Sequence, residues 1–439
     1  MPAGRLEVRL RATSPELLSL PWRVPLADWD QTRVAFRDVP VGPSRHLVRF
    51  VDADRRLWAL KALPGRSAQR EYDVLRIMET RALAAVRPAG VVLQPRHDDA
   101  VLVTQYLERS WQYRRLLMRV PPDATAHRSR LFDGMASLLV DLHRNGVYWG
   151  DCSLANTLFT RDGQVIQAWM VDAETAEVHG SLSDGQRQTD LGIMVENVTG
   201  GLLDVAARRG ELEGALDRAF AEASSIEGRY GELWDLLHLE PTVDEDSTDT
   251  VTARVHDLEA LGFAIDEVRL EAATDDPALR LRVEVGGRRF HAEQLRALTG
   301  LDVGEGQARV LLSDLRDLRA RSEATLGHHV PEVVAARRWM LESFTPGVER
   351  ASAAAAGVGD PIQAYCDLLE VRWLLSEQAG HDVGDDRALD ALTHRHTPGG
   401  SAAEVSFVEL PTEELPALTP ELLEELGRND DGNGPPELP

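Results

Sequence analysis

Apolar and polar positions change their period several times along this chain, and the changes mark its elements. Residues 5–11 alternate like a strand, and Ser14-Pro-Glu-Leu-Leu then reads as one helical turn with Ser14 as N-cap and Pro15 at the first helical position. From Arg33 the pattern is strand-like over 33–41, 46–51 and 57–63, with turns at Gly42-Pro43-Ser44 and 52–55. Three such runs joined by tight turns predict an antiparallel meander. After Pro64-Gly65 the period lengthens: Leu75 and Met78 lie at helical spacing beside Val74, predicting a helix over 67–85 with Glu71 one turn before its apolar face. Residues 91–93 and 100–106 read as two further strands. Leu131, Met135, Leu138, Leu139 and Leu142 then mark an amphipathic helix over 130–144, and the apolar run 165–171 ends in Asp172. Helical patterning returns over 192–239.

A second series follows an acidic, turn-rich stretch at 240–250, which reads as a linker. Residues 253–261 look helical. Leu279, Leu281, Val283 and Val285 alternate strictly with polar residues, so 267–272 and 279–285 predict a hairpin. Helices are expected over 291–299, 305–326, 331–344, 361–379 and 385–395. From Ser401 ten acids face a single arginine among several prolines, which reads as an acidic flexible tail over 401–439. Within it, Thr419-Pro-Glu-Leu-Leu has the form of a capped helical turn.

Composition narrows the class. At 439 residues and 43% apolar content the chain can form two or three domains with cores of their own. A net charge of −24 disfavours nucleic-acid binding, which draws on an excess of Lys and Arg. No segment approaches the roughly 18 uninterrupted apolar residues of a membrane span, so a cytoplasmic protein is expected. Cys152 and Cys366 are far apart in a chain too large to need a disulfide, and both are expected to be reduced. His328-His329 and His394-Arg-His396 lack a third ligand and read as surface histidines.

One compositional bias carries chemistry. Of 48 basic residues 47 are arginine, and the single lysine is Lys61, on the third strand of the meander. Lysine persists where a compact ammonium on a flexible stem cannot be exchanged for a planar fork. Downstream, Asp151, Asn156 and Asp172 set out an acid, an amide and a second acid at the end of a strand. Phosphoryl transfer needs that set: one carboxylate for a hydroxyl proton, and a carboxylate with an amide oxygen to hold magnesium against ATP phosphates. Glu71, ten residues beyond Lys61, can reach back to its ammonium and fix it over the phosphates.

Leu142-His-Arg-Asn-Gly-Val, Gly150-Asp-Cys-Ser-Leu-Ala-Asn-Thr-Leu-Phe and Val171-Asp172 together resemble the catalytic and metal-binding loops of the protein-kinase-like superfamily. The form is the one shared by its lipopolysaccharide-kinase-like and RIO-like branches. The resemblance implies an α+β, two-lobed fold over 31–239, with an N-lobe of small antiparallel sheet plus helix over 31–108 and a helical lobe over 109–239. Residues 1–30 stand before it as an extension. It also implies ATP and Mg2+ as cofactors, Asp151 as catalytic acid with Lys61, Asn156 and Asp172 as metal ligands, and Lys61 with Glu71 as the phosphate-orienting pair. Asp190 resembles the helix-borne aspartate that buttresses the catalytic loop. Gly42 and Ser44 would belong to the phosphate-covering loop, and Gln105, Tyr106 and Leu107 to the interlobe connection whose backbone meets an adenine edge.

Departures from the pattern are specific. The phosphate loop has one glycine, and Pro43 removes an N–H that could hold a phosphate. Trp149 stands where the superfamily usually has histidine, which alters how the loop is propped. Ala173-Glu174 replaces Phe-Gly after the metal aspartate, which argues against a switching activation segment; Glu174 is either a neighbour of the metal or a surface residue. Residues 360–383 resemble a domain of unknown function joined to kinase-like domains in actinobacteria, implying a mostly helical domain over 251–400. There, Glu370, Arg372, Trp373 and Glu377 form either a functional face or surface ion pairs on a packed helix.

The expected function is an ATP- and Mg2+-dependent phosphotransferase acting on an unknown acceptor, a protein or a small molecule, with the C-terminal domain recognising substrate or partner. Two alternatives stand beside it: a nucleotide-binding scaffold that transfers nothing, and a RIO-like ATPase.

Overall fold

The computed structural model describes residues 6–11, 14–39, 45–94, 99–119, 125–243, 248–272, 279–355 and 360–393. The chain opens with β1 (Glu7–Leu10) and the short helix α1 (Pro15–Leu18), where the Ser14 hydroxyl accepts the Leu17 N–H at 3.1 Å. β2 (Phe36–Arg37), β3 (Val48–Ala53) and β4 (Arg56–Pro64) follow, the last two joined by Asp54 and Arg55 at φ of 51° and 60°. Positive φ at both positions gives a tight hairpin whose twist matches its strands. Helix α2 (Gly65–Thr80), β5 (Pro88–Leu93) and β6 (Asp99–Gln105) complete a six-stranded antiparallel sheet in the order β1-β5-β6-β4-β3-β2.

Each face of this sheet is covered differently. Ala68, Leu75 and Met78 of α2 bury one face without residual exposure. Leu17, Trp22, Leu26 and Trp29, from the first thirty residues, bury the other against Val51, Trp58 and Leu60. Each such side chain contributes on the order of 2 kcal/mol through the apolar area removed from water. The segment read as an extension thus supplies an edge strand and the cover of one sheet face.

Two expected elements are shorter here. The first strand is reduced to Phe36–Arg37, because 30–34 are taken up by a turn in which Val34 N–H returns to Asp30 O at 3.1 Å. Helix α2 stops at Thr80 rather than 85: Ala82 adopts φ 53°, and 83–86 run extended to pair with the end of a later strand through Met170 N–H to Ala84 O at 2.9 Å. Gly42 and Ser44 lie outside the described residues.

β7 (Trp111–Gln112), α3 (Tyr113–Arg119), α4 (Thr125–Arg144), β8 (Val147–Tyr148), β9 (Thr157–Asp162), β10 (Val165–Met170), β11 (Glu177–Val178), α5 (Asp184–Arg209) and α6 (Ala215–His238) build the second lobe. α4, α5 and α6 pack around Leu139, Leu142, Met194, Val198 and Ile226, and the sheets β10-β9-β7 and β11-β8 lie at their cleft end. A Ser183/Gln186 capping box starts α5, and Gly210 at φ 72° ends it.

Beyond it come β12 (Thr242–Val243), α7 (Thr248–Ala260), β13 (Phe263–Ala272), β14 (Leu279–Arg288), α8 (Phe290–Thr299), α9 (Glu305–Leu326), α10 (Glu332–Trp339), α11 (Thr345–Ala354), α12 (Pro361–Ala379) and α13 (Gly384–Thr393). The 240–250 stretch contributes β12, an edge strand on β14. β13 starts four residues earlier than its alternation indicates, because register shifts at Phe263–Ile265 and Ile265–Glu267 break the period there. The helix expected over 331–344 runs further: Met340–Phe344 forms a π turn in which Thr345 N–H returns to Met340 O, and the helix continues as α11. Pro346 follows directly and has no N–H to continue an α-helical ladder. Leu258 and Phe263 join the core of the second lobe, while Leu311, Leu315, Trp339, Phe344, Tyr365 and Leu368 form a separate one. Among the described residues no helix is long and apolar enough to cross a membrane. The tail 401–439 lies outside the described residues.

Candidate nucleotide site

β4 carries Lys61 at the middle of the sheet, paired with Val48 on one side and Leu102 on the other. Its side chain leaves the sheet toward α2, where Glu71 is buried. Lys61 Nζ donates to Glu71 Oε2 at 3.1 Å and Oε1 at 3.4 Å, and to Asp172 Oδ2 at 2.7 Å. Glu79, the other acid on α2 within reach of the sheet, instead pairs with Arg11. Glu71 Oε1 also accepts the Ala173 N–H at 3.3 Å, which ties α2 to the segment following β10.

Asp151 lies across the cleft from this cluster. Asn156 Nδ2 donates to Asp151 Oδ2 at 3.0 Å and to its carbonyl at 3.2 Å, and Asn197 Nδ2 donates to Asp151 Oδ1 at 3.1 Å. The loop before it is fixed from below by Asp190, fully buried on α5, which accepts the Trp149 N–H at 2.7 Å and the Gly150 N–H at 2.8 Å. Gly150 sits at φ 76°, so the loop turns there without the cost a side chain would add. His143 Nε2 is 3.0 Å from Asp190 Oδ2, and its Nδ1 is 2.9 Å from the Tyr230 hydroxyl. Trp149 has no exposed surface and donates its indole N–H to Asp172 O at 3.2 Å, so it props the loop against the segment that follows β10.

These groups line one cavity of about 860 Å³ between the lobes. Val48, Ala59, Val86 and Leu102 form its apolar roof and Leu158 and Val171 its floor, while Gln105, Tyr106 and Leu107 close the inner edge. Of the residues that the resemblance assigns to the site, Lys61, Glu71, Asp151, Asn156, Asp172, Gln105, Tyr106 and Leu107 line this cavity, and Asp190 lies beneath it. The Gln105 N–H is taken by Arg87 O at 2.9 Å and the Tyr106 N–H by Leu57 O at 3.0 Å, so neither is left to face a ligand.

Around the Lys61 ammonium carboxyl groups predominate, although Arg45, Arg66, Arg70 and Arg115 also line the cavity. Glu174 Oε2 lies 3.8 Å from Lys61 Nζ and 3.0 Å from His46 Nε2, giving three carboxylates around one ammonium. Burial raises the Glu71 carboxyl to about 7, with Lys61 opposing and Asp172 reinforcing the shift. Burial works against the Lys61 charge, yet attraction to Glu71 and Asp172 outweighs it and raises its pKa. Among the described residues no three His, Cys, Asp or Glu side chains are arranged to hold a metal by themselves. Asp172 and the Asn156 carbonyl oxygen are hard oxygen donors suited to Mg2+, whose shell is normally completed by phosphate and water.

Asn197 and His46 escaped the sequence reading. Asn197 is seven residues past Asp190 on α5, two turns along the same face, and that spacing is the signal that would have found it. His46 has no local signal, because only the folding of 46 against 174 makes it part of the site. Glu174 is at the cluster and not on a free surface. In the C-terminal region Arg372 pairs with Asp382 and Asp385, Glu370 is buried and Trp373 is 60% exposed, so these side chains do not share one face. Both cysteines are free and buried.

The two lobes, the lysine–glutamate pair and the loop carrying Asp151 and Asn156 define a protein-kinase-like fold with a mostly helical C-terminal region. Residues 51–202 match the family Lipopolysaccharide kinase (Kdo/WaaP), and residues 232–396, beginning inside α6, match the Domain of unknown function DUF4032. Among solved structures, "WaaP in complex with acyl carrier protein" is similar over 52% of this chain and 99% of that chain, at 18% identity and a TM-score of 0.32. No curated protein matches the chain.

Proposed function

We propose that this chain is an ATP- and Mg2+-dependent phosphotransferase whose machinery lies within 31–239. The observation that carries the reading is the placement of the single lysine, Lys61, between Glu71 and Asp172 at the base of a cleft that also holds Asp151 and Asn156. In this reading the adenine enters the apolar slot and its edge meets the backbone N–H of Leu107, since those of Gln105 and Tyr106 are committed. Lys61, braced by Glu71, orients the phosphates. Asn156 and Asp172 hold Mg2+, which supplies charge neutralisation to the phosphate oxygens. Asp151, oriented by Asn156 and Asn197, takes the proton of the acceptor hydroxyl. The full engagement of Trp149 with Asp190 and Asp172 supports a competent loop over a degenerate one.

Transfer of labelled γ-phosphate from ATP to protein and small-molecule fractions tests the reading. Lys61→Ala should lower it by about 10²–10³-fold, the usual effect of removing one charge-stabilising donor, with unchanged circular dichroism. Undiminished turnover in that variant overturns the assignment. Mg2+-dependent ATP binding without loss of γ-phosphate would leave a binding scaffold, and phosphate release without an acceptor an ATPase.

A further inference from the structure

The tip of the β9–β10 hairpin is gripped by the C-terminal region through three different contacts. Arg161 forms a bidentate pair with Asp367 of α12, Nη1 to Oδ2 at 2.8 Å and Nη2 to Oδ1 at 2.6 Å, the side chains 7% and 17% exposed. Gly163 exchanges both backbone groups with the Gln363 amide, its N–H donating to Oε1 and its carbonyl accepting from Nε2, each at 2.9 Å. Asp162 accepts the Gly306 and Gln307 N–H groups at 2.8 and 2.9 Å in the first turn of α9. A Cβ on Gly163 would stand 2.5 Å from Gly306 O, and one on Gly306 2.0 Å from Asp162 O, so the backbones meet with no room for side chains. α12 also reaches the interlobe connection: its N-cap Asp360 is 3.5 Å from Arg109 and accepts from Gln307 Nε2 at 3.0 Å.

The other end of the same hairpin carries the chemistry. Asn156 immediately precedes β9, and Asp172 follows β10 by one residue. Between tip and open end run six consecutive pairs, from Asp162–Val165 to Thr157–Met170, with no bulge, and the Val171 N–H closes onto Asn156 O at 3.1 Å. A regular ladder of this length, about 20 Å, fixes the two strands against each other. The place of the tip therefore contributes to the place of Asn156 and Asp172, beside the bonds these residues make to Asp151, Trp149 and Lys61. Apolar packing of Leu258 and Phe263 already joins the C-terminal region to the second lobe, so a buried ion pair and a reciprocal amide pair are not needed for attachment alone.

We propose that the C-terminal region is a positioning clamp on the phosphotransfer site, with Asp367, Gln363 and Asp162 holding the hairpin so that Asn156 and Asp172 bind the metal of the Mg2+–ATP complex. This rests on the nucleotide reading given above. The test uses full-length protein, wild type beside Asp367→Asn and Gln363→Met, with ATP affinity measured by calorimetry without metal and Mn2+ affinity for the ATP complex measured by electron paramagnetic resonance. Both variants should keep metal-free ATP affinity and lose about 10-fold in Mn2+ affinity, the scale seen when groups supporting metal ligands are removed. Should Asp367→Asn not fold, Gln363→Met decides, since it nearly conserves volume and keeps the Arg161–Asp367 pair while removing the amide's bonds to Gly163 and to Asp367. Wild-type Mn2+ affinity in a folded variant, or equal losses with and without metal, overturns the clamp. Absence of any metal-dependent binding in the wild type overturns the nucleotide reading and the clamp with it.

Discussion

Lys61 and Arg161 are both buried cations beside carboxylates, and they are built in opposite ways. Around Lys61, oxygens of Asp172, Glu71 and Glu174 stand at 2.7, 3.1 and 3.8 Å, so three carboxyl groups crowd one ammonium and the cluster opens onto a cleft. Around Arg161 one guanidinium meets one carboxylate fork to fork, and Gln363 Nε2 takes up Asp367 Oδ1 at 2.8 Å. The first cluster is crowded and open; the second is balanced and sealed. Asp172 and Glu174, 31% and 32% exposed, face the cleft, and burial keeps Glu71 protonated up to about 7, so solvent and protonation relieve the crowding. A compensated pair adds little net stability and instead fixes a geometry. The residue types agree with this division: a compact ammonium in the open cluster, a rigid fork in the sealed one.

The largest effect that separates the two is the cost of deleting one partner. Asp367→Ala strands the Arg161 guanidinium in a buried site and should destabilise the fold by about 3–5 kcal/mol. Lys61→Met should cost no more than about 1–2 kcal/mol, because Glu71 already holds its proton up to about 7 and can stay neutral once the ammonium is gone. Urea unfolding monitored by tryptophan fluorescence reads both. Equal costs would mean the clusters do the same work.

A smaller effect sharpens the contrast. Asp172 is among the groups that raise the Glu71 carboxyl, so Asp172→Asn should bring its titration below about 7, while Asp367→Asn leaves it where it is. Carbon-13 NMR of the labelled carboxyl follows this directly. A Glu71 titration that Asp172→Asn does not move would show that burial alone sets it.

The open cluster was legible in the sequence and the sealed one was not, for a physical reason. Lys61, Asp151, Asn156 and Asp172 are tied to local signals: a unique residue type, a fixed spacing, the end of an apolar run. Arg161, Gln363 and Asp367 carry no such mark, because their pairing spans about two hundred residues and arginine is the common base of this chain. Helices with clean periods, such as α9 and α12, were read to the residue. Elements interrupted by backbone events were not. Ala82 in the left-handed region ends α2 early, two register shifts hide the start of β13, and a π turn before Pro346 carries the helix begun at Glu332 on into α11.

The last and smallest effect concerns how the open cluster responds to pH. Glu71 is an acid whose folded value, about 7, exceeds its ordinary 4.5, with burial the leading cause. Between those values the native state keeps a proton that the unfolded chain has released. The slope of unfolding free energy against pH is therefore negative there: the contribution is full below 4.5, is lost as pH rises through about 7, and is constant above. Glu71→Gln removes the titration, so wild type should lose up to about 3 kcal/mol relative to the variant between pH 4.5 and 8. Were Lys61 instead the dominant influence, the Glu71 value would lie below 4.5 and wild type would lose stability as pH falls through that lower value, with nothing lost toward neutrality. Denaturation of both proteins across this range distinguishes the two. A decline toward neutrality that is absent from Glu71→Gln would identify the buried Glu71 carboxyl as the group that titrates, with burial rather than Lys61 setting its value.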